Sequence, residues 1–284
     1  MIMLRLHDYI KLTRLNRPIG IYLLLWATLW AVWIAGEGQP NFWITLIFIL
    51  GVVLMRSAGC VINDFADREI DRHVQRTRDR PLTAGRVSHK EALILFAVLC
   101  LLAFLLVLCL NLKTILLSFG ALFFASLYPF TKRYTYLPQV FLGIAFGWGI
   151  PMAFTALQNE LPFTAWLLFS ANLAWTVAYD TQYAMADKAD DLKIGVKSSA
   201  ILFGRWDKVI IALLQSVALL LLIWVGVLHK FNAFFFFGLV IALGLFIYQQ
   251  ILIKDRDPAR CFQAFLNNHW AGFAIFFGIF LSYL

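Results

Sequence analysis

The chain has 284 residues, of which 62% are hydrophobic and only 14% are charged. Soluble globular domains carry charge on about 25% of their residues, so this composition excludes an ordinary soluble domain and indicates an integral membrane protein. The formal net charge of +8 is typical of cytoplasmic loops that face an anionic membrane surface. It therefore predicts the lipid bilayer as a partner and gives no reason to expect nucleic acid.

Apolar runs recur along the chain at lengths close to the roughly 20 residues that a helix needs to cross the hydrocarbon core. A separate amphipathic helix along the membrane interface is predicted before Pro18. Pro129, Pro138 and Pro151 interrupt the fourth and fifth apolar runs, so eight spans are an alternative to nine. The nine predicted spans are 19–35, 42–62, 91–111, 114–130, 138–157, 163–184, 207–228, 232–252 and 264–284.

Lysines and arginines alternate between the loops as the positive-inside rule requires of nine spans. All 24 except Lys113, Lys230 and Arg56 fall in the N-terminal stretch or in every second loop. Arg76 belongs to the first of these loops. The predicted topology therefore places the N-terminus in the cytoplasm and the C-terminus outside.

The first acidic motif, NDFADREID, follows the second apolar run. Asn63, Asp64, Asp67 and Asp71 recur at intervals of three and four, so on a helix they share one face. A solvated loop is the simplest interpretation of such a run. Three neighbouring carboxylates repel each other, however, and the arginines that follow are expected to be too mobile to neutralise them alone. A divalent metal ion is the expected counter-ion.

The second acidic motif, YDTQYAMADKADD, follows the sixth apolar run on the same predicted side of the membrane. Asp180, Asp187 and Asp191 again share a helical face. Further into the membrane, Asn172 and Thr176 continue a polar stripe that is predicted to line a cavity. Two acidic motifs on one side of the membrane make a solvated loop a poor explanation of either.

Three cations add to this pattern. Arg56 lies within the second span, on the same helical face as Asn63 but deeper. A buried charge of this kind indicates a functional site, and a guanidinium suits a substrate carboxylate; snorkelling or pairing with a protein carboxylate is the alternative. Lys132 and Arg133 lie in YPFTKRYTYLPQ on the inner side, where they either anchor the topology or bind an anionic leaving group.

With these motifs in view, the chain resembles the UbiA superfamily of intramembrane aromatic prenyltransferases. The two aspartate-rich motifs carry the resemblance, together with MRSAGCVINDFADREID, YPFTKRYTYLPQ, FGWGIPMAF and WTVAYDTQYAMADKADDLKIGVKSSAILFG. It covers nearly the whole chain and is closest to the members that prenylate 4-hydroxybenzoate in bacterial ubiquinone synthesis. Asp79 departs from the asparagine that the family commonly carries before the Arg-Pro of the first loop.

The resemblance implies an all-α membrane protein: a single domain over residues 1–284, with nine transmembrane helices around a central cavity. Cytoplasmic cap loops are expected at about 63–90, 131–137 and 185–206, and the location is the bacterial inner membrane with the active site toward the cytoplasm. The implied reaction transfers a polyprenyl group from polyprenyl diphosphate to 4-hydroxybenzoate, ortho to its hydroxyl, with Mg²⁺ as cofactor.

The resemblance also implies roles for individual residues. The expected metal ligands are Asp64, Asp67, Asp71, Asp187 and Asp191. The last four also count among the expected catalytic residues, together with Asp180; Asp180 and Asp191 are both candidates for activating the ring or accepting its proton. The expected substrate-binding residues are Arg56, Asn63, Lys132, Arg133 and Tyr183.

Two other functions are compatible with the residues. An enzyme of the same superfamily with another acceptor, such as homogentisate or a haem, differs only in the pocket, and Arg56 favours a carboxylated aromatic acceptor. A cation-coupled transporter or lipid flippase could also be built from paired acids around a cavity. Transporters usually hold their ionisable residues near the midplane, whereas these acids gather at the inner boundary.

Overall fold

The computed structural model describes residues 2–72 and 77–284, so Arg76 lies outside the described residues. All regular elements within the described residues are helical, with a short 3-10 turn at Gly204–Trp206. The α-helices are α1 (Ile2–Leu12), α2 (Ile19–Ala35), α3 (Phe42–Asp71), α4 (His89–Val107), α5 (Leu112–Thr131), α6 (Pro138–Gly147), α7 (Gly149–Gln158), α8 (Phe163–Ile194), α9 (Ser199–Phe203), α10 (Asp207–Leu228), α11 (Ala233–Leu252) and α12 (Pro258–Ser282).

Seven helical stretches among the described residues are long and apolar enough to cross a membrane. They comprise α3, α4, α5, the α6–α7 pair, α9 with α10, α11, and α12. The protein is therefore a multi-pass membrane protein. Of the other two predicted spans, α2 is apolar but has only 17 residues, and α8 is not among the seven. The count of nine spans and the cytoplasmic N-terminus stay predictions.

The two helices that carry the acidic motifs are the longest in the fold. With 30 and 32 residues, α3 and α8 are about 45 and 48 Å long at 1.5 Å per residue. The hydrocarbon core is about 30 Å thick, so both helices are long enough to extend beyond it. Both acidic motifs are consequently helical. The predicted loop starts at 63 and 185 are wrong in this respect, since helix continues to Asp71 and Ile194.

Local sequence signals explain several helix ends. Ser88 and Glu91 form a capping box at the start of α4, and Gly195 ends α8 in the left-handed conformation with φ of 70°. Asp257 caps the N-terminus of α12, where Pro258 occupies the first turn. The helix thus begins six residues before the predicted start of the ninth span at 264, because the polar first turn of α12 hides this part of the helix from a search for apolar runs.

Small residues bring α6 against α8. A side chain at Gly143 would lie 2.5 Å from Leu173, and one at Gly147 would lie 3.0 Å from the amide nitrogen of Asn172. At these two positions glycine therefore allows close helix contact. This contact holds α8, with its acidic motif, against the middle of the bundle.

Candidate active site

A cavity of about 800 Å³ lies between α2, α3, α4, α5, α6, α7, α8 and α12. Along α3 it extends from Ile47 to Asp64, roughly 25 Å at 1.5 Å per residue. Its deep walls are apolar and its other end is charged. The predicted central cavity is therefore present. The charged end is lined by Lys11, Arg14, Arg17, Asp64 and Arg80, and the deep walls include Phe48, Leu101, Phe104, Phe119, Leu122 and Met152.

The carboxylates of the first motif are buried and paired with cations. Asp64 is 1% exposed and accepts hydrogen bonds from Arg14 at 2.8 and 2.9 Å and from Arg80 at 3.0 Å. The same nitrogen of Arg80 donates to Asp71 at 2.7 Å. One guanidinium thus bridges two carboxylates that lie two helical turns apart on α3.

Asp67, between these two, has a different partner. Lys132, at the end of α5, donates to Oδ2 of Asp67, while Oδ1 is buried without a hydrogen-bond partner. The neighbouring Arg133 donates to the carbonyl oxygen of Ala66. The loop after α5 is therefore attached to the face of the first motif, and one carboxylate oxygen remains able to accept another ligand.

Sequence reasoning missed two of these cations. The expectation that the arginines after the first motif are too mobile to neutralise it was wrong for Arg80, which the carboxylates hold in place. Burial alone would lower the pKa of the Arg80 guanidinium, but Asp64 and Asp71 raise it, and the pKa lies above its ordinary value. Arg14 gave no sequence signal beyond its charge, because it reaches Asp64 from a turn with φ of 58° after α1.

The second motif divides between two environments. Asp180 and Tyr183 line the cavity, and the Tyr183 ring packs against Phe265 with centroids 5.0 Å apart. Asp187 and Asp191 are partly exposed and are not among the residues that line the cavity. In the part of the chain that the structure describes, no three acidic, histidine or cysteine side chains gather as a ready metal site.

Arg56 lines the cavity below the first motif, as predicted, and Asn63 also lines it. Seven residues of α3 separate the two positions, which is about 10 Å along the axis. The Arg56 guanidinium donates to the sulfur of Cys60 at 3.0 Å, and its Nε is buried without a partner. No carboxylate of the described residues lies within 4.0 Å of it. Arg56 is thus a buried cation that is not neutralised by a direct ion pair.

Glycine makes room for the Arg56 side chain. A Cβ atom at Gly20 would lie 2.2 Å from its Nε, so the guanidinium rests against the bare backbone of α2. The ring of Phe146 lies 5.5 Å from the guanidinium carbon. These neighbours fix the position of the charge without neutralising it.

The polar stripe of the sixth span lines the cavity only in part. Asn172 and Thr176 are 1% and 0% exposed and are absent from the cavity lining, so the prediction for these two residues was wrong. Asn172 instead meets Gly147 of α6. Helical spacing indicates that residues share a face, but not whether that face meets a cavity or a neighbouring helix.

The model of the UbiA prenyltransferase family matches residues 24–278. The chain belongs to the UbiA prenyltransferase family. A 4-hydroxybenzoate octaprenyltransferase of Chromohalobacter salexigens is 58% identical to it over 278 residues, which are 98% of this chain and 93% of that protein. A 4-hydroxybenzoate octaprenyltransferase of Pseudomonas aeruginosa is 59% identical over 98% of this chain and 96% of that protein.

Two solved structures of this family have the same fold. The apo structure of a UbiA homolog from Aeropyrum pernix K1 matches with a TM-score of 0.82 and 27% identity, over 93% of this chain and 98% of that chain. A UbiA homolog from Archaeoglobus fulgidus bound to GPP and Mg²⁺ matches with a TM-score of 0.73 over 95% of this chain and 99% of that chain. At 18% identity, this second likeness supports the fold alone.

The bridge made by Arg80 yields a stability prediction. Arg80→Ala leaves the buried Asp71 without its ion pair, and removal of one partner of a buried pair costs about 3–5 kcal/mol. Arg5→Ala is the control, because Arg5 is 63% exposed in its pair with Glu91 and such surface pairs contribute about 0–1 kcal/mol. In thermal unfolding in detergent with EDTA, we expect the melting temperature to fall strongly for Arg80→Ala and to change little for Arg5→Ala. Equal losses would contradict a structural role for the bridge.

Proposed function

We propose that the protein transfers a polyprenyl group from polyprenyl diphosphate to 4-hydroxybenzoate, forming 3-polyprenyl-4-hydroxybenzoate for ubiquinone synthesis. The observation that carries this proposal is the arrangement of side chains along one cavity. Cationic and acidic side chains line one end, the Arg56 guanidinium lies deeper, and apolar walls continue beyond it. The two curated relatives described above, which match nearly the whole chain, are named for prenyl transfer to 4-hydroxybenzoate. The site is assigned to the cytoplasmic side of the bacterial inner membrane, with nine spans and an inner N-terminus.

The charged end is suited to a diphosphate. Arg14, Arg80 and Lys132 donate hydrogen bonds to carboxylates. Phosphate oxygens can accept the same hydrogen bonds from these guanidinium and ammonium groups. When a diphosphate binds, these side chains move from the carboxylates to its oxygens. They then stabilise the negative charge that grows on the leaving group as the allylic C–O bond breaks.

The donor set that remains is suited to Mg²⁺. Asp64, Asp67 and Asp71 supply only oxygen ligands, which a hard cation prefers, and Oδ1 of Asp67 is buried without a partner. Asp187 and Asp191 of α8 are assigned as the ligands from the second motif. Bound there, Mg²⁺ would neutralise charge on the diphosphate. Because the metal ion and the diphosphate carry opposite charges, each reduces the repulsion that the other meets in the site. Binding of either should therefore raise the affinity of the site for the other.

Arg56 and Asn63 are assigned to the aromatic acid. A guanidinium buried without a neutralising ion pair gains from a carboxylate that arrives with the substrate, and this favours 4-hydroxybenzoate over acceptors that lack a carboxylate. Binding at Arg56 would hold the ring between the diphosphate end and the apolar walls. The ring is then already close to the reacting carbon, so the C–C bond forms within one complex and needs no further encounter in solution.

The reaction needs a protected carbocation and a place for one proton. Loss of diphosphate with its bonding electrons leaves an allylic cation, which the apolar and aromatic walls, Tyr183 among them, shelter from water. The ring carbon ortho to the hydroxyl forms the new C–C bond and then loses its proton. Asp180 lines the cavity, whereas Asp191 does not, which supports Asp180 as the group that orients the hydroxyl or accepts the proton.

Product analysis tests the function directly. Membranes that contain the protein should convert 4-hydroxybenzoate and a polyprenyl diphosphate to a prenylated product, identified by mass, when Mg²⁺ is present. We expect EDTA to stop the conversion, and Asp67→Ala and Asp187→Ala to abolish it while the protein stays in the membrane. Turnover in excess chelator would refute the metal assignment, and the absence of product from the unmodified protein would refute the function.

Arg56 gives a prediction that separates the two substrates. Arg56→Ala should raise the KM for 4-hydroxybenzoate by the equivalent of about 2–4 kcal/mol, because one partner of a charge-assisted pair is lost. The KM for the prenyl diphosphate should change little. Arg56→Lys should restore the KM for 4-hydroxybenzoate only in part, since the lysine ammonium is a point charge and does not reproduce the planar guanidinium. Gly20→Ala should act in the same direction by displacing the guanidinium.

Steady-state kinetics with each substrate varied in turn distinguishes this assignment from its rival. If Arg56 only neutralises the aspartates, its loss should weaken the dependence on diphosphate or Mg²⁺ and leave the acceptor KM unchanged. That pattern would overturn the assignment of Arg56 to the acceptor.

A further inference from the structure

A chain of buried hydrogen-bonding side chains connects α8 to α11 and α12. Trp175 and Gln182 of α8 both bond to Asn268 of α12, at 2.9 and 2.8 Å. Gln182 also donates to Gln249 of α11 at 3.1 Å, and Gln249 donates to Asn267 of α12 at 3.0 Å. Gln182, Gln249 and Asn268 are each 0% exposed and Trp175 is 1% exposed. We call these four residues the amide network.

The amide network contacts a side of α8 that faces away from the aspartates of the acidic motif. At 3.6 residues per turn, Asp180, Tyr183, Asp187 and Asp191 fall within an arc of about 80° on one side of the helix. Trp175 and Gln182 are seven residues apart and lie within about 20° of each other on the other side. Asp180, Asp187 and Asp191 therefore lie on one side of α8, and the bonds to the C-terminal helices lie about 120° or more away from them. Tyr183 lies between the two sides and packs on Phe262 and Phe265 of α12.

The direction of these hydrogen bonds is fixed from one end. An indole nitrogen can only donate, so the oxygen of Asn268 must face Trp175 and its nitrogen must face Gln182. The nitrogen of Asn268 also donates to the carbonyl oxygen of Ala264 at 2.9 Å. Gln182 then accepts through its oxygen and donates through its nitrogen to Gln249. Reversal of any one amide would place two donors or two acceptors against each other.

Such a network resists movement of α8. Rotation of the helix, or a shift along its axis, would break the bonds at Trp175 and Gln182 together and leave buried polar atoms without partners. Gln215 of α10 adds a further bond to Gln249 at 2.8 Å, so three C-terminal helices share the constraint. None of these residues lines the cavity, so any contribution to catalysis is indirect.

We propose that the amide network is a positioning device that sets the rotation and register of α8, and thereby holds Asp180 and Asp187 where the reaction needs them. This inference rests on the proposed function for its catalytic consequence, but not for its structural one. Trp175, Gln182, Asn268 and Gln249 are positioning residues, since they act through α8 and touch neither substrate nor metal site.

Two conservative variants with a matched control test the proposal. Trp175→Phe removes the indole donor that orients Asn268 but keeps an aromatic ring, and Gln182→Leu removes the link from Asn268 to Gln249. Trp30→Phe is the control: Trp30 is 1% exposed, donates to the backbone of Gly272 on the same helix α12 at 3.0 Å and stacks on Trp175, but is bonded to no member of the network. All three variants lose one or two buried hydrogen bonds.

For Trp175→Phe and Gln182→Leu we expect kcat to fall roughly 10- to 100-fold, as small misplacements of catalytic groups do, and the Mg²⁺ concentration for half-maximal rate to rise. Hydrogen–deuterium exchange of residues 186–194 should become faster in both. Trp30→Phe should lower the melting temperature to a similar extent without changing kcat, the Mg²⁺ dependence or exchange in this segment.

The proposal is overturned if all three variants change only the melting temperature, or if exchange in residues 186–194 is the same in Trp175→Phe and Trp30→Phe. Faster exchange with unchanged kcat and Mg²⁺ dependence would overturn the catalytic part of the proposal. The exchange measurement needs no turnover. A protein that forms no prenylated product at all would therefore refute the proposed function while still deciding whether the network positions α8.

Discussion

Three carboxylates buried at one end of a long membrane helix are the constraint on which the site depends. Asp64, Asp67 and Asp71 are each at most 5% exposed, and burial of an ionised carboxylate is unfavourable unless it is paired and hydrogen-bonded. Three separate segments supply the cations: Arg14 after α1, Arg80 after α3 and Lys132 after α5. The need to neutralise one helix end thus brings together three segments that are distant in the sequence.

The same arrangement explains how binding could assemble the site. The cations that neutralise the carboxylates are the groups that a diphosphate would attract, and the carboxylates they leave are the ligands that Mg²⁺ prefers. In the protein without ligands these cations and carboxylates therefore pair with each other. On binding, the diphosphate would pair with the cations and the metal ion with the carboxylates. Asp180 and Tyr183 of the second motif line the cavity from α8, which the glycines of α6 and the amide network contact on other sides.

Much of this arrangement follows from the sequence because it depends on local spacing. Intervals of three and four residues correctly placed Asp64 and Asp67 on one helical face, and Arg56 on that face but deeper. What the sequence did not indicate depends on contacts between distant segments. Arg14 lies 50 residues from its partner Asp64, and no local pattern links them. Asn172 and Thr176 share the spacing of cavity residues, yet the approach of α6 buries them.

Helix lengths show the same limit. Each predicted apolar run coincides with helix, but α3, α8 and α12 continue through polar turns that hydrophobicity cannot recognise. Helix continues there because caps and ion pairs satisfy the polar groups. A search for apolar runs finds the apolar part of a helix, whereas most of the predicted site residues lie where those runs end.

Under the proposed function, Lys132 pairs with Asp67 where a metal ion would bind, until a diphosphate takes the charge of Lys132. Calorimetric titration of Mn²⁺ into the purified protein and into Lys132→Met, without diphosphate, tests this claim most directly. We expect Lys132→Met to bind Mn²⁺ more tightly, by about tenfold or ~1.4 kcal/mol, because no ammonium competes for the carboxylate. Equal or weaker binding of Mn²⁺ to Lys132→Met would contradict it.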